Sequence, residues 1–171
     1  MSVPMLVISG SMGSGKTTVL SELSDLLEEA GVAHAAVDLD TLSLMHPRRG
    51  GQGERLMYDN LAAIWPNFAA LGAERLVVAC ALEDRADLEY YREAVPGAEP
   101  IVCLLVAPIE TMQQRVRSRD IGMLQEQLLA NSLRLAETLP RARAEDFTVE
   151  NDDGRSITEV AREILSRSGW L

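Results

Sequence analysis

Lysine is almost missing from this chain of 171 residues: of its 16 basic side chains fifteen are arginine, and Lys16 is the only lysine. Any mechanism that needs a lysine must therefore use Lys16. That excludes a pyridoxal Schiff-base enzyme with its lysine elsewhere, and a protein kinase, whose strand lysine lies well past its glycine loop. Cysteine is nearly as scarce. Cys80 and Cys103 stand in apolar runs at a spacing that suits neither a zinc site nor a disulfide framework, so they read as buried, reduced thiols. No apolar run approaches the ~18 residues of a membrane helix. Met1-Ser2-Val3-Pro4 carries no basic region or cleavage site, so no export signal is read and a soluble, cytoplasmic protein is expected. Positive charge is in deficit, with 26 acids against 16 bases and a formal −10. This argues against a nucleic-acid groove or an anionic membrane partner and leaves small molecules as the expected partners of a monomer or homodimer. The length predicts one domain, residues 1–171.

What is present alternates between two periodicities. Apolar runs at 5–9, 32–37, 76–80, 101–106 and 146–149 read as strands, and amphipathic stretches between them read as helices. The first helix begins near Lys16 and carries Val19, Leu20, Leu23, Leu26 and Leu27 on one face, with Gly31 as its C-terminal cap. A second runs from 54 to about 71, where Pro66 should kink or interrupt it. Pro108 opens a helix with Met112 and Val116, another covers about 123–139, and Ser156 caps the last. Apolar strands separated by helices require a parallel sheet covered on both faces, which makes the class α/β.

Between the first strand and first helix lies Gly10-Ser11-Met12-Gly13-Ser14-Gly15-Lys16-Thr17, which matches the phosphate-loop pattern G-x-x-x-x-G-K-S/T at every fixed position. Successive backbone N–H groups converge on phosphate oxygens only in a tightly curled loop, which explains the glycines, and the helix N-terminus adds its orphan donors. Lys16 would reach the β- and γ-phosphates, the Thr17 hydroxyl would ligate Mg²⁺, and Thr18 belongs to the same nucleotide-binding turn. A GTPase is excluded, because its guanine-reading N-K-x-D motif needs a second lysine. Asp38-Leu39-Asp40 ends the second strand, and period two would set both carboxylates on one side of an extended chain at the carboxyl edge of the sheet. One would deprotonate an acceptor hydroxyl and the other support the metal, with Asp38 the metal candidate. A pair of solvated acids or a helix cap is the simpler alternative.

At these residues the chain resembles the small P-loop kinases of the chloramphenicol phosphotransferase, shikimate kinase, adenylylsulfate kinase and adenylate kinase kind. The resemblance rests on GSMGSGKT, on D-L-D, on Arg115-x-x-x-Arg119 and on the turn from Asn151 to Ser156. It implies the three-layer P-loop NTPase fold, with about five parallel strands and a helical lid at about 119–144. It also implies ATP with Mg²⁺, Arg115 against the adenine, Arg119 on the phosphates as a catalytic residue, and Asp153, Gly154 and Arg155 around the base. Guanidinium chemistry suits both arginine roles, although a solvated basic helix face explains the pair as well.

Gly122 offers a hinge, and Arg134, Arg141 and Arg143 are further phosphate candidates. Tyr58, Leu61, Trp65 and Phe68 share a helical face that reads as core more readily than as a substrate platform. Arg48, Arg49 and Arg55 would suit an anionic acceptor, or a solvated loop. The chain departs from shikimate kinases in lacking a triple glycine after the third strand. Ala81-Leu82-Glu83-Asp84 stands there instead, with Glu83 or Asp84 open to a Walker B or acceptor role. The expected function is ATP-dependent transfer of the γ-phosphoryl group to a small-molecule hydroxyl. A nucleotide or nucleoside kinase and a nucleotide-binding regulatory module are the alternatives.

Overall fold

The computed structural model describes residues 2–45, 52–119 and 123–171, and of residues 52–54, 119 and 123–125 the backbone only. Five strands form one parallel sheet: β1 (Val3–Ser9), β2 (His34–Asp38), β3 (Arg75–Cys80), β4 (Ala98–Val106) and β5 (Phe147–Glu150), in the order β2-β3-β1-β4-β5. The first helix, α1, is Lys16–Glu29; α2 is Leu39–Leu42, α3 Gln52–Ala70 and α4 Leu88–Ala94. Helices α5 (Ile109–Arg119), α6 (Met123–Ala142) and α7 (Ile157–Ser168) complete the order.

Period two along the strands divides the core. Met5 and Val7 of β1 face one layer with Leu61 and Trp65 of α3 and Tyr91 of α4, whereas Leu6 and Ile8 face α1 and α7 through Leu23, Leu27, Val160 and Ile164. Each fully buried aliphatic side chain contributes about 1.5–3 kcal/mol relative to exposure. A third, smaller cluster packs Leu135 and Leu139 of α6 on Leu104 of β4. Tyr58, Leu61 and Trp65 are buried in the first layer, so this face is core and not a substrate platform. Cys80 and Cys103 are free and buried, and burial pushes both thiols up to about 12.

Two local expectations change. Helix α3 runs uninterrupted through Pro66, because that ring and Ala62, whose carbonyl loses its partner, both lie on the exposed face where water replaces the missing bond. The chain also turns helical directly after Asp38, so Asp40 sits in the first turn of α2 and not on an extended strand. The last helix begins at a full capping box: the Ser156 hydroxyl accepts from Glu159 N at 3.2 Å, and the Glu159 carboxylate accepts from Ser156 N at 2.8 Å. Those bonds hold the Glu159 carboxyl below its ordinary range. Ser156→Ala is expected to cost about 1 kcal/mol, a fall of roughly 2–4 °C in the thermal midpoint of a domain this size, measurable by circular dichroism.

β1 lies in the middle of the sheet because the chain leaves it first toward β2 and β3 and later returns past it to β4 and β5. That reversal opens a crevice at the carboxyl edge, where such sheets bind ligands. Ser9 at the end of β1 pairs with Cys80 and Leu104, and Asp38 is one rung away through Ala79 and Ile8. The phosphate loop and the Asp38 turn therefore emerge side by side.

Candidate active site

The loop between β1 and α1 is held by its carbonyls. Ser11 O accepts from Ser14 N at 3.2 Å and faces the Lys16 amine at 3.4 Å; Met12 O accepts from Ser132 Oγ at 2.6 Å. Gly13 O lies 3.3 Å from an Arg115 guanidinium nitrogen, Ser14 O accepts from the buried Asn151 amide at 2.7 Å, and Gly15 O accepts from Val19 N at 2.9 Å. With the carbonyls tied to their surroundings, the N–H groups are left over. Among the described residues no protein acceptor meets those of Gly13, Gly15, Lys16, Thr17 or Thr18.

Helix α1 starts without a side-chain cap and has no acid in its first turn, so its positive end is uncompensated by the protein. Gly13 and Gly15 hold φ of +83° and +98°, and a methyl group on Gly13 would fall 2.5 Å from Met112 O. One on Gly15 would strike the Asn151 amide. Gly10, Ser11, Met12 and Ser14 complete the curl, with the Ser14 hydroxyl buried and unpartnered among the described residues. Taken together, the curl is a cradle of donors with no anion of its own, which is what a phosphate chain needs.

Two cavities meet at this loop and share Gly13, Gly15 and Thr18. The first, about 440 Å³, is bounded by Arg115, Ser118, Asn151, Asp152, Asp153 and Arg155. Arg115 is fixed there by Asp153 at 2.9 Å, and Arg155 by Glu163 at 2.8 Å and Glu150 O at 2.9 Å. Gly154 lies in the same turn, its N–H donating to Asp152 Oδ1 at 2.9 Å, but it does not line the cavity. The second, about 350 Å³, contains Lys16, Thr17, Asp38 and Asp40.

Here the structure separates the two acids that period two would have made equivalent. The Thr17 hydroxyl donates to Asp38 Oδ2 at 2.7 Å, while Asp38 Oδ1 caps α2 by accepting from Asp40 N at 3.0 Å. Asp40 instead turns to Lys16, Oδ2 to Nζ 3.6 Å; the amine is 8% exposed and the carboxylate 57%. The protein mass around Asp40 withdraws water from it and raises its carboxyl above the ordinary range, against the opposing pull of Lys16 and with the help of Asp38's charge. Thr17 Oγ1 and Asp38 Oδ2 together are a hydroxyl–carboxylate pair of hard oxygens. That donor set fits Mg²⁺, which takes one or two protein oxygens and completes its shell with phosphate and water; no group of three or more acidic, histidine or cysteine ligands occurs among the described residues.

Several sequence candidates lie elsewhere. Glu83 accepts two bonds from Arg134, at 2.7 and 3.0 Å, which hold its carboxyl low, and Asp84 caps a short turn by accepting from Ala86 N. Neither lines the cavity at Lys16, and Arg134 is ion-paired with Glu83. Arg55 pairs with Glu93 at 3.0 Å and lies over the Tyr90 ring. Arg141 and Arg143 are exposed and line neither cavity. Arg48, Arg49, Gly122 and the Arg119 side chain fall outside the described residues. Sequence reasoning named Asn151 only as the start of the turn before the last helix and passed over Ser132; the two shape the loop from 137 and 120 residues away. The only trace of the first was an asparagine directly after a strand, and the second left none.

The fold and loop define the class: this is the P-loop NTPase fold in the form taken by small P-loop kinases. A tunicamycin resistance protein from Deinococcus radiodurans superposes with a TM-score of 0.66 at 18% identity, covering 99% of this chain and 97% of that one. An APS kinase from Mycobacterium tuberculosis, solved with AMPPNP and APS, gives 0.63 at 20% identity and 96% coverage of each chain. A gluconokinase from Sinorhizobium meliloti 1021 gives 0.56 at 26% identity, over 97% of this chain and 91% of that one. No protein-family model and no curated protein matches the sequence.

Proposed function

We infer that the chain is a phosphotransferase that uses Mg²⁺ and ATP to phosphorylate a hydroxyl of a small molecule. The observation that carries this reading is the meeting of two cavities at one donor-lined loop, with Lys16, the Thr17-bonded Asp38 and the Lys16-paired Asp40 in the second cavity. The kinase names of the superposed proteins, and the AMPPNP in one of them, support it.

In this reading the base occupies the cavity of Arg115, Asp153 and Arg155, with Gly154 in the turn beside it, and the phosphates lie on the N–H groups of Gly13 through Thr18. Lys16 neutralises the β- and γ-phosphates, and Arg119 is assigned to the same charge by the resemblance to small P-loop kinases. Mg²⁺ held by Thr17 and Asp38 would spread phosphate charge during transfer. Asp40 orients the acceptor hydroxyl and takes its proton. The acceptor oxygen–Pγ bond forms, the bond from Pγ to the bridging oxygen breaks, and its electron pair leaves on ADP. The segment 119–144 serves as lid, seated on the loop by the Ser132–Met12 bond.

The test is direct. Incubation with Mg-ATP and a panel of hydroxylated small molecules should yield ADP and an acceptor heavier by one phosphoryl group, read by mass spectrometry. A chain that binds ATP but phosphorylates nothing, and that captures a protein partner only with nucleotide bound, would instead be the regulatory module.

A further inference from the structure

We propose that the acceptor is an uncharged or amine-bearing hydroxyl compound with an apolar body, and that anionic acceptors are discriminated against; this rests on the phosphotransfer reading above. The second cavity has an asymmetric lining. Asp38, Asp40 and Thr41 are polar, while Met12, Leu44, Val116 and Leu128 are apolar. At about 350 Å³ the space suits a small organic molecule, and Leu44 on its wall is 70% exposed. An acceptor whose apolar portion covers Leu44 and Leu128 while its hydroxyl meets Asp40 matches both sets of residues.

Charge points the same way. Lys16 is the one cationic side chain among the described residues lining this cavity, and it is committed to the donor phosphates. With Mg²⁺ and Arg119 of that reading counted, the donor triphosphate remains an anion, and together with Asp38 and Asp40 it outweighs the positive charge of Lys16 and Arg119. An acceptor carrying a carboxylate, sulfate or phosphate would add a further negative charge beside the donor. One uncompensated like charge at ~6 Å, at an effective dielectric of ~20, amounts to roughly a hundredfold in affinity. Three described arginines are engaged with acids: Arg55 with Glu93, Arg134 with Glu83, and Arg115 with Asp153 in the other cavity. An ammonium group on the acceptor would be favoured by Asp38 and Asp40 for the same reason that an anion is repelled.

Matched acceptors sharing one carbon skeleton test this: a plain alcohol, an amino alcohol, a hydroxy acid and a phosphorylated alcohol, each assayed with the intact chain and Mg-ATP by ADP release and by ³¹P NMR of the product. The alcohol or amino alcohol should exceed the anionic members at least a hundredfold in kcat/KM. Leu44→Ser and Leu128→Ser should each raise the acceptor KM about tenfold, with the effect absent from the KM for ATP. Preference for an anionic member overturns the proposal while leaving phosphotransfer standing; loss of that preference in Arg48→Ala or Arg49→Ala would then identify the cation responsible. An acceptor KM unmoved by both leucine variants also overturns it. Failure of every acceptor with ATP bound overturns this proposal and the phosphotransfer reading together.

Discussion

Lys16→Ala is expected to reduce kcat by three orders of magnitude or more while leaving a folded protein. The chain holds no second lysine to substitute, and Lys16 lines the cavity that also holds Asp38 and Asp40. Removing a single preorganised donor from developing charge typically costs 10²–10³ in kcat, about 2.7–4 kcal/mol, and here a full positive charge goes with it. The fold should tolerate the change, because the amine's protein contacts are a carbonyl at 3.4 Å and an exposed carboxylate at 3.6 Å, and truncation leaves no buried group unpaired that water in the open cavity cannot reach. Turnover, nucleotide titration calorimetry and a thermal melt on the same preparation check it. Turnover within tenfold of wild type would remove Lys16 from the mechanism.

The second large effect belongs to Asp40. Asp40→Asn should lower kcat by 10²–10⁴ with little change in the KM for ATP, the size of a lost general base. The raised Asp40 carboxyl adds a pH signature. A base acts deprotonated, so wild-type activity falls as pH drops through a pKa displaced upward from the ordinary carboxylate value, and the asparagine variant lacks that acid limb.

Stability moves the other way. A folded-state carboxyl with a raised pKa binds its proton more tightly than the unfolded chain does, so its ionisation costs stability as pH rises through that pKa. Removing the charge should therefore leave the melting temperature at neutral pH unchanged or higher. Asp38→Asn separates the roles: the amide oxygen can still cap α2, but the hard carboxylate beside Thr17 is gone, so the Mg²⁺ concentration needed for half-maximal rate should rise. If Asp38→Asn removed the acid limb and Asp40→Asn moved the Mg²⁺ requirement, the two assignments would be reversed.

Much of the architecture was readable from local pattern. The five strands, the helix after the loop and the capped last helix each follow from a period of two or 3.6 and from punctuation by glycine, proline and serine. Where reading failed, a local rule met a tertiary circumstance. Pro66 does not break α3 because its face is wet, and the strand stops at Asp38, which caps a helix as one alternative had it, so Asp40 leaves the extended chain.

The lone lysine and the glycines of the phosphate loop were determined by sequence alone, because positive φ and an open helix N-terminus are requirements a few consecutive residues meet or miss by themselves. Tertiary structure alone decided the different partners of Asp38 and Asp40, the pairing of Glu83 with Arg134, and the part of Asn151 and Ser132 in turning the loop's carbonyls outward. Those depend on which chain crossings bring residues more than a hundred positions apart to the same sheet edge, and hydrogen bonds reach only about 3 Å once that crossing is made.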